Sequence, residues 1–213
     1  MLKNKISFAC LLILFFNVFG SALLFFKPIN EIVLQLTPIN LLGILVLFLW
    51  ANADYSFKLF KTISLIYIIG ILVEVLGVNL NIIFGDYYYG NSLGPKIYGT
   101  PLIIGVNWLT LSIATYGISS YIFRHNTFII LFASIFMVFT DYIIEPLAGV
   151  LDFWHWSLEE IPIQNYIAWF FVSLIIQLIL VKGNFKFNIK LCFALIFSQI
   201  LFFIIQYFNY GLF

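Results

Sequence analysis

Three carboxyl side chains lie inside long apolar segments of this 213-residue chain, where an ionisable group is energetically costly. Glu74 is in one segment. Asp141 and Glu145 are in another, four residues apart and therefore on one helix face. Gly70 and Gly77 share the helix face of Glu74, and glycines there would let a neighbouring helix or a flat ligand come close. Such acids either tie helices together through hydrogen bonds or hold and transfer protons.

Polar and aromatic residues of four predicted helices should collect in one layer around these acids. Asn81 continues the face of Glu74, and the other members are Trp108, Ser112, Asn165 and Trp169. Between two of the helices runs the stretch FGDYYYGNSLGP, residues 84–95, which is rich in turn-forming and aromatic residues. Asp54, Asp86 and Glu159 are expected to be solvated loop charges, whereas Asp152 suits a loop or a site equally well.

The composition indicates an integral membrane protein. The chain is 63% hydrophobic and 9% charged, against roughly 25% charged residues in soluble domains. Its net charge of +1 indicates no nucleic-acid partner, and its two cysteines form no motif.

Seven apolar segments are long enough to be predicted as membrane-spanning helices. They lie near residues 6–26, 32–51, 60–81, 99–123, 127–147, 164–181 and 190–209. The predicted fold is therefore an all-α transmembrane bundle forming a single integral membrane domain over residues 1–213. The second segment contains Pro38 and is the weakest of the seven. The first could also be a cleaved signal peptide, but its apolar run to Phe26 favours a retained span.

Basic residues predict the orientation, because Lys and Arg concentrate in cytoplasmic loops. Only Lys27 and Lys96 would face outward; the inward set is Lys3, Lys5, Lys58, Lys61, Arg124, Lys182, Lys186 and Lys190. The protein is thus expected in the inner membrane of the cell, with its N-terminus in the cytoplasm. Residues 84–95 and the loop after the fifth span would then face the outer side.

Several chemistries do not fit these residues. The two histidines, His125 and His155, are too few for a membrane di-iron enzyme and do not supply a buried Ser-His-Asp triad. No strand is expected, so no Rossmann motif is either. Lys190 lies at the edge of the last segment, which excludes a retinal Schiff base within it. Acid–base chemistry by carboxyl groups without a cofactor or metal remains, or no chemistry at all.

With these residues in view, the chain resembles the carotenoid 1,2-hydratase family, of the bisanhydrobacterioruberin and gamma-carotene hydratase type. The resemblance covers residues 74–169, nearly half of the chain. The first group of matching positions is Glu74, Gly77, Phe84, Gly85, Tyr87, Tyr89, Leu93, Gly94, Pro95, Gly99, Pro101 and Trp108. The second group is Asp141, Glu145, Pro146, Trp154, Trp156, Pro162, Asn165 and Trp169.

Three positions depart from the family pattern. The acid before Pro146 is usually an Asp, the turn before Pro162 usually contains a Gly, and Ala168 replaces a Gly. These departures bear on the substrate variant more than on the fold.

The resemblance implies that water adds across the terminal C1–C2 double bond of an acyclic psi end group. The partners would be a lipid-soluble carotenoid, water, the bilayer and other enzymes of the same pathway. Asp141 is the favoured proton donor, with Glu74 and Glu145 as the other catalytic acids. Substrate would contact Tyr87, Tyr89, Trp108, Asn165, Trp169, Trp154, Trp156, Asn81 and Asp152, the aromatic members stabilising a cation.

Two alternatives stay open. A carotenoid or terpenoid cyclase makes the same cation but captures it with an internal alkene. A carotenoid-binding membrane protein without enzymatic activity would use the same surroundings and would not need the three acids.

Overall fold

A computed structural model describes residues 2–52, 54–158 and 160–212. Within them the chain forms eight helices joined mostly by short loops. These are α1 (Leu2–Leu23), α2 (Asn30–Gln35), α3 (Thr37–Asn52), α4 (Phe57–Leu80), α5 (Ile103–Ile122), α6 (Asn126–Ala148), α7 (Ile163–Gly183) and α8 (Ile189–Tyr210). The helical architecture of the prediction is confirmed.

Five helices of the described chain are long and apolar enough to cross a membrane, which indicates a membrane protein. They are α1, α4, α6, α7 and α8. Each of the seven predicted segments contains helix, but two segments do not belong to this group. The second is divided at Leu36, with Pro38 in the first turn of α3, where a proline is tolerated. This division leaves α3 with 16 residues.

The fourth segment, α5, lies at the centre of the bundle. It packs against α3, α4, α6, α7 and α8, and most of its residues are buried. Hydroxyl groups lower its apolar character, and several of them donate back to carbonyls one turn earlier: Thr110, Ser112, Thr115 and Ser119. Small polar side chains of this kind allow neighbouring helices to approach closely without leaving a buried donor unpaired.

The expectation that the chain contains no strand is wrong, because four short strands cover one end of the bundle. Two of them, β2 (Lys96–Ile97) and β3 (Thr100–Pro101), pair as a small hairpin. The other two, β1 (Tyr87–Tyr89) and β4 (Trp154–Trp156), come from different loops and pair antiparallel. Aromatic residues favour strands, and here two aromatic triplets form one ladder.

Candidate active site

Glu74 is at the centre of a cluster of donors near the C-terminal end of α4. Its Oε2 accepts hydrogen bonds from the Tyr87 and Tyr89 hydroxyls at 2.6 and 2.7 Å, and its Oε1 accepts one from Trp108 Nε1 at 2.7 Å. The residue is only 3% exposed. Three hydrogen bonds to one carboxyl are the usual compensation for a buried negative charge.

Two glycines on the face of Glu74 permit these contacts, as the sequence predicted. A Cβ at Gly70 would lie 2.9 Å from Trp108 Cβ, and one at Gly77 would lie 2.7 Å from the Phe84 ring. Any side chain at these positions would push α5 or the 84–95 loop away from Glu74. The two glycines therefore allow α5 and the 84–95 loop to come within hydrogen-bond distance of Glu74.

Trp108 also forms one half of an aromatic stack across the bundle. Its ring lies 3.9 Å from that of Trp169 on α7, with an angle of 17° between the ring planes. Both indoles are buried. This stack fixes the orientation of the Trp108 N–H toward Glu74 and provides a flat wall on the side of α7.

The β1–β4 ladder aims four aromatic side chains at the acids. Its register pairs Tyr87 with Trp156 and Tyr89 with Trp154, while Tyr88 pairs with His155. Because side chains alternate across a strand, the first two pairs face inward and the third faces outward. Tyr88 is accordingly 57% exposed and stacks on His155.

The two inward tyrosines remain neutral donors. Burial and the adjacent Glu74 carboxyl raise the pKa of the Tyr87 and Tyr89 phenols well above the ordinary range. The phenols can therefore donate hydrogen bonds to the Glu74 carboxylate. When that carboxyl is protonated, a phenol oxygen can accept a hydrogen bond from its O–H group.

Glu145 on α6 accepts from the opposite strand of the ladder. Its Oε2 receives the indole N–H groups of Trp154 at 3.1 Å and Trp156 at 2.8 Å, and its Oε1 receives Asn165 Nδ2 at 2.8 Å. All three partners can only donate in this arrangement. Glu74 and Glu145 are thus held by matching sets of three donors.

Asp141 lies one turn before Glu145 and has a much poorer environment. It is fully buried, and its Oδ2 accepts a single hydrogen bond, from Asn165 Nδ2 at 2.9 Å. Its Oδ1 has no hydrogen-bond partner among the described residues. The Asn165 amide nitrogen therefore joins the two carboxyls of α6. Of the three acids, Asp141 has the fewest hydrogen bonds to compensate a negative charge.

A cavity of about 20 Å³ lies between the acids, with room for roughly one water molecule. Its walls are Glu74, Phe84, Tyr87, Tyr89, Ile104, Glu145, Trp154, Trp156, Asn165 and Trp169. Most of the predicted site residues are thus brought together around one space. Trp108 lies behind Glu74 and Trp169, and Asp141 lies behind Asn165, so neither is part of the cavity wall.

Two predicted site residues lie elsewhere. Asn81 is exposed and ends α4 in the left-handed conformation, with φ of 57°. Asp152 holds two loops together: its Oδ2 accepts the Asn91 N–H at 2.7 Å and its Oδ1 contacts His155 Nε2 at 2.9 Å. Burial opposes the Asp152 charge, but the hydrogen bonds from His155 and Asn91 lower the pKa of its carboxyl. Glu159 lies outside the described residues.

Two wall residues, Phe84 and Ile104, were not among the predicted site residues. Phe84 belongs to the matching positions of the family pattern, but no role at the site was predicted for it. Ile104, in the first turn of α5, separates the cavity from the neighbouring part of the bundle. An isoleucine in an apolar helix has no distinguishing spacing, so no sequence signal could have revealed it.

The site therefore combines two cavity-facing carboxyls, a third buried carboxyl and a wall of electron-rich rings. Such a set can move protons and can stabilise a positive charge by contact with aromatic faces. Across the described residues, no group of three or more His, Cys, Asp and Glu side chains is arranged to hold a metal ion.

Comparison with known families adds one decisive observation. A family model described as "Carotenoid biosynthesis protein" matches residues 36–208, which is most of the chain and includes every residue of the cavity wall. The chain belongs to this carotenoid biosynthesis family. No curated protein and no solved structure matches the chain itself. The family match supports a role in carotenoid biosynthesis.

Proposed function

We propose that this member of the carotenoid biosynthesis family is a cofactor-independent hydratase. It would add water across the C1–C2 double bond of an acyclic psi end group. The observation that carries the proposal is the cavity of about 20 Å³, which has room for roughly one water molecule between two carboxyls and five tyrosine and tryptophan rings.

The proton comes from Asp141 and Glu145 acting as one acid. Asp141 holds it at rest, since its unpartnered Oδ1 offers little compensation for a charge. Glu145 lies one helical turn after Asp141 and faces the cavity, so the proton passes from Asp141 to Glu145 and from there to the substrate. The Asn165 Nδ2 group donates to both carboxyls and keeps them together, but it does not carry the proton between them. The alkene π electrons form the new C–H bond at C2, and C1 becomes a tertiary cation.

The aromatic walls stabilise that cation. Tyr87, Tyr89, Trp154, Trp156 and Trp169 all line the cavity. A cation in contact with aromatic faces gains about 2 kcal/mol or more when water is excluded. The O–H and N–H groups of the first four residues are already engaged by Glu74 and Glu145, which leaves their ring faces available to the substrate.

Glu74 completes the reaction from the opposite wall. Its carboxylate, held by three donors, orients the water and takes its proton as the oxygen bonds to C1. The products are a tertiary alcohol, a protonated Glu74 and a deprotonated Asp141–Glu145 pair. Return of the proton to the pair restores the starting state, so no oxidant or reductant is consumed.

The size of the cavity favours water capture over cyclisation. A cyclase must fold several carbons of the chain around the cation before an internal alkene can reach it. The cavity beside the acids has room for roughly one water molecule, so its walls must open for any carbon to enter, and a folded chain requires a larger opening than an extended end does.

The product test is expression in a lycopene-producing host followed by mass analysis of the pigments. We expect the acyclic carotenoid to gain one water and to become a tertiary 1-hydroxy derivative. A product of unchanged mass with a ring would assign the chain as a cyclase. Unmodified lycopene that co-purifies with the protein would assign it as a carrier.

We also propose a membrane orientation from the distribution of the basic residues. It has seven spans, a cytoplasmic N-terminus and a site toward the outer face of the inner membrane. Reporter tags at Arg124 and Lys186 should read cytoplasmic, and a tag at Asn91, in the loop that covers Glu74, should read external. The measurement is protease or thiol-reagent accessibility in intact cells. An Asn91 tag that reads cytoplasmic would contradict the orientation.

A further inference from the structure

A second, larger cavity lies on the other side of α5 from the acids. It has a volume of about 280 Å³ and is enclosed mainly by α1, α2, α3, α5 and α8. Apolar side chains make most of its wall, among them Phe16, Phe19, Leu23, Leu41, Phe202 and Phe203. Nothing in the proposed chemistry uses this space.

The two cavities share two wall residues, Ile104 and Trp154. Trp154 also donates its indole N–H to Glu145. The larger cavity therefore ends where the acid-lined cavity begins, with one isoleucine and one indole between them. A chain lying in the larger cavity would direct its end at Glu145.

The chemistry of the wall suits a hydrocarbon. None of the described residues lining the larger cavity is charged. Its polar members are partly engaged by protein groups: Asn17 donates to the Ile13 carbonyl and to Ser198, and Gln199 donates to Asn107. An ionic headgroup would find no partner there, whereas a chain without heteroatoms needs none.

The rim of the larger cavity faces the apolar exterior of the bundle. Phe16, Phe19 and Leu36 line the cavity and are each exposed over about half of their surface. The short helix α2, which buries none of its residues, contributes to the same rim. A membrane-dissolved molecule can thus reach the cavity sideways, without passing through water.

We propose that the larger cavity binds the acyclic end of a long isoprenoid polyene and guides it between Ile104 and Trp154 to the acids. This assignment rests on the proposed hydratase function. The volume is close to the lower end of the roughly 300–1,000 Å³ typical of ligand sites, so it holds one end of the chain while the rest extends into lipid. A saturated lipid tail would fit the walls, but it has no alkene for the carboxyls at the far end.

Gly20 offers a direct way to block this site. It lines the larger cavity, and a Cβ built on it meets no atom within 4 Å, so a side chain can begin there without displacing a neighbour. Gly43 on α3 is the matched control. It is also a helical glycine with no atom within 4 Å of an added Cβ, but it lies outside the cavity wall.

The experiment measures lycopene retained by the purified full-length protein after expression in a lycopene-producing host. All variants carry Asp141→Asn, so that turnover does not remove the probe. We expect Gly20→Phe to retain about tenfold less lycopene per protein than the parent, because overfilling a cavity excludes its ligand. Gly43→Phe should retain as much as the parent. Gly20→Leu, a smaller filling, provides the same comparison if the phenylalanine variant does not accumulate.

Equal retention in the Gly20 variants and the parent would overturn the proposal, and so would a parent that retains none. Hydration by the protein without Asp141→Asn is measured separately. Loss of lycopene in the Gly20 variants, together with no hydrated product from the unmodified protein, would support polyene binding in the larger cavity and reject the hydratase function. Hydrated product with retention unaffected by Gly20→Phe would reject only polyene binding in the larger cavity.

Discussion

Replacing Asp141 by asparagine is expected to abolish hydration while the protein accumulates at its normal level. Asp141 makes one hydrogen bond, to Asn165 Nδ2, and an asparagine oxygen can accept that bond in the same place. The other carboxyl oxygen has no described partner, so an amide nitrogen there displaces no interaction. The structural cost is small, but the amide cannot hold the proton that the Asp141–Glu145 pair delivers to carbon. Loss of a general acid typically lowers the rate by roughly 10²–10⁴-fold.

The matched control for this substitution is Asp86→Asn. Asp86 is an exposed aspartate immediately before the cavity-lining strand β1, so the chemical change is the same but lies outside the cluster of acids. Pigment analysis at equal protein levels should show near-normal product for this control. Substantial turnover in Asp141→Asn would instead give Asp141 a structural role and leave the mechanism without the group that holds its proton.

Glu74→Gln should be comparably severe, for a different reason. The carboxylate is needed to orient the water and accept its proton, and a glutamine has no basic oxygen for that step. The amide can still be accommodated, because its oxygen can accept from Trp108 Nε1 while its NH₂ group donates to the tyrosine hydroxyls. We expect a loss of roughly 10²–10⁴-fold in product formed per protein.

Glu160→Gln is the control for Glu74, since Glu160 is an exposed glutamate in a loop. The two variants are compared by product yield and by the melting temperature of the purified protein. A Glu74→Gln protein that melts near the unmodified one yet forms no product agrees with the catalytic role. Unaltered product formation would show that another group accepts the proton from water. Glu145→Gln is a less clean test, because an amide nitrogen at Glu145 would meet a donor-only indole or the Asn165 NH₂.

Much of the site was predictable because it depends on helical spacing. The separation of four between Asp141 and Glu145 places both next to Asn165, and the face containing Gly70, Glu74 and Gly77 is the one that approaches Trp108 and Tyr87. An acid inside a membrane is costly unless hydrogen-bond donors surround it. A small residue packs weakly unless another segment approaches it closely. Their positions therefore carry information even in a single sequence.

What could not be predicted depends on contacts between distant segments. The pairing of Tyr87–Tyr89 with Trp154–Trp156 joins two loops separated by two helices, and short strands in loops have no periodicity long enough to detect. The position of α5 at the centre follows from how the other helices close around it. The sequence placed Asn81 on the face of Glu74, but the helix ends there and turns the asparagine outward.

The most direct measurement of the central claim is the origin of the oxygen in the product. Lycopene is incubated with membranes containing the protein in water enriched in heavy oxygen, and the product is analysed by mass spectrometry. The hydratase account predicts one heavy oxygen atom per reacted end, with the reaction proceeding equally well when molecular oxygen is removed. A hydroxylated product that takes its oxygen from molecular oxygen, or the absence of any oxygenated product, would contradict it.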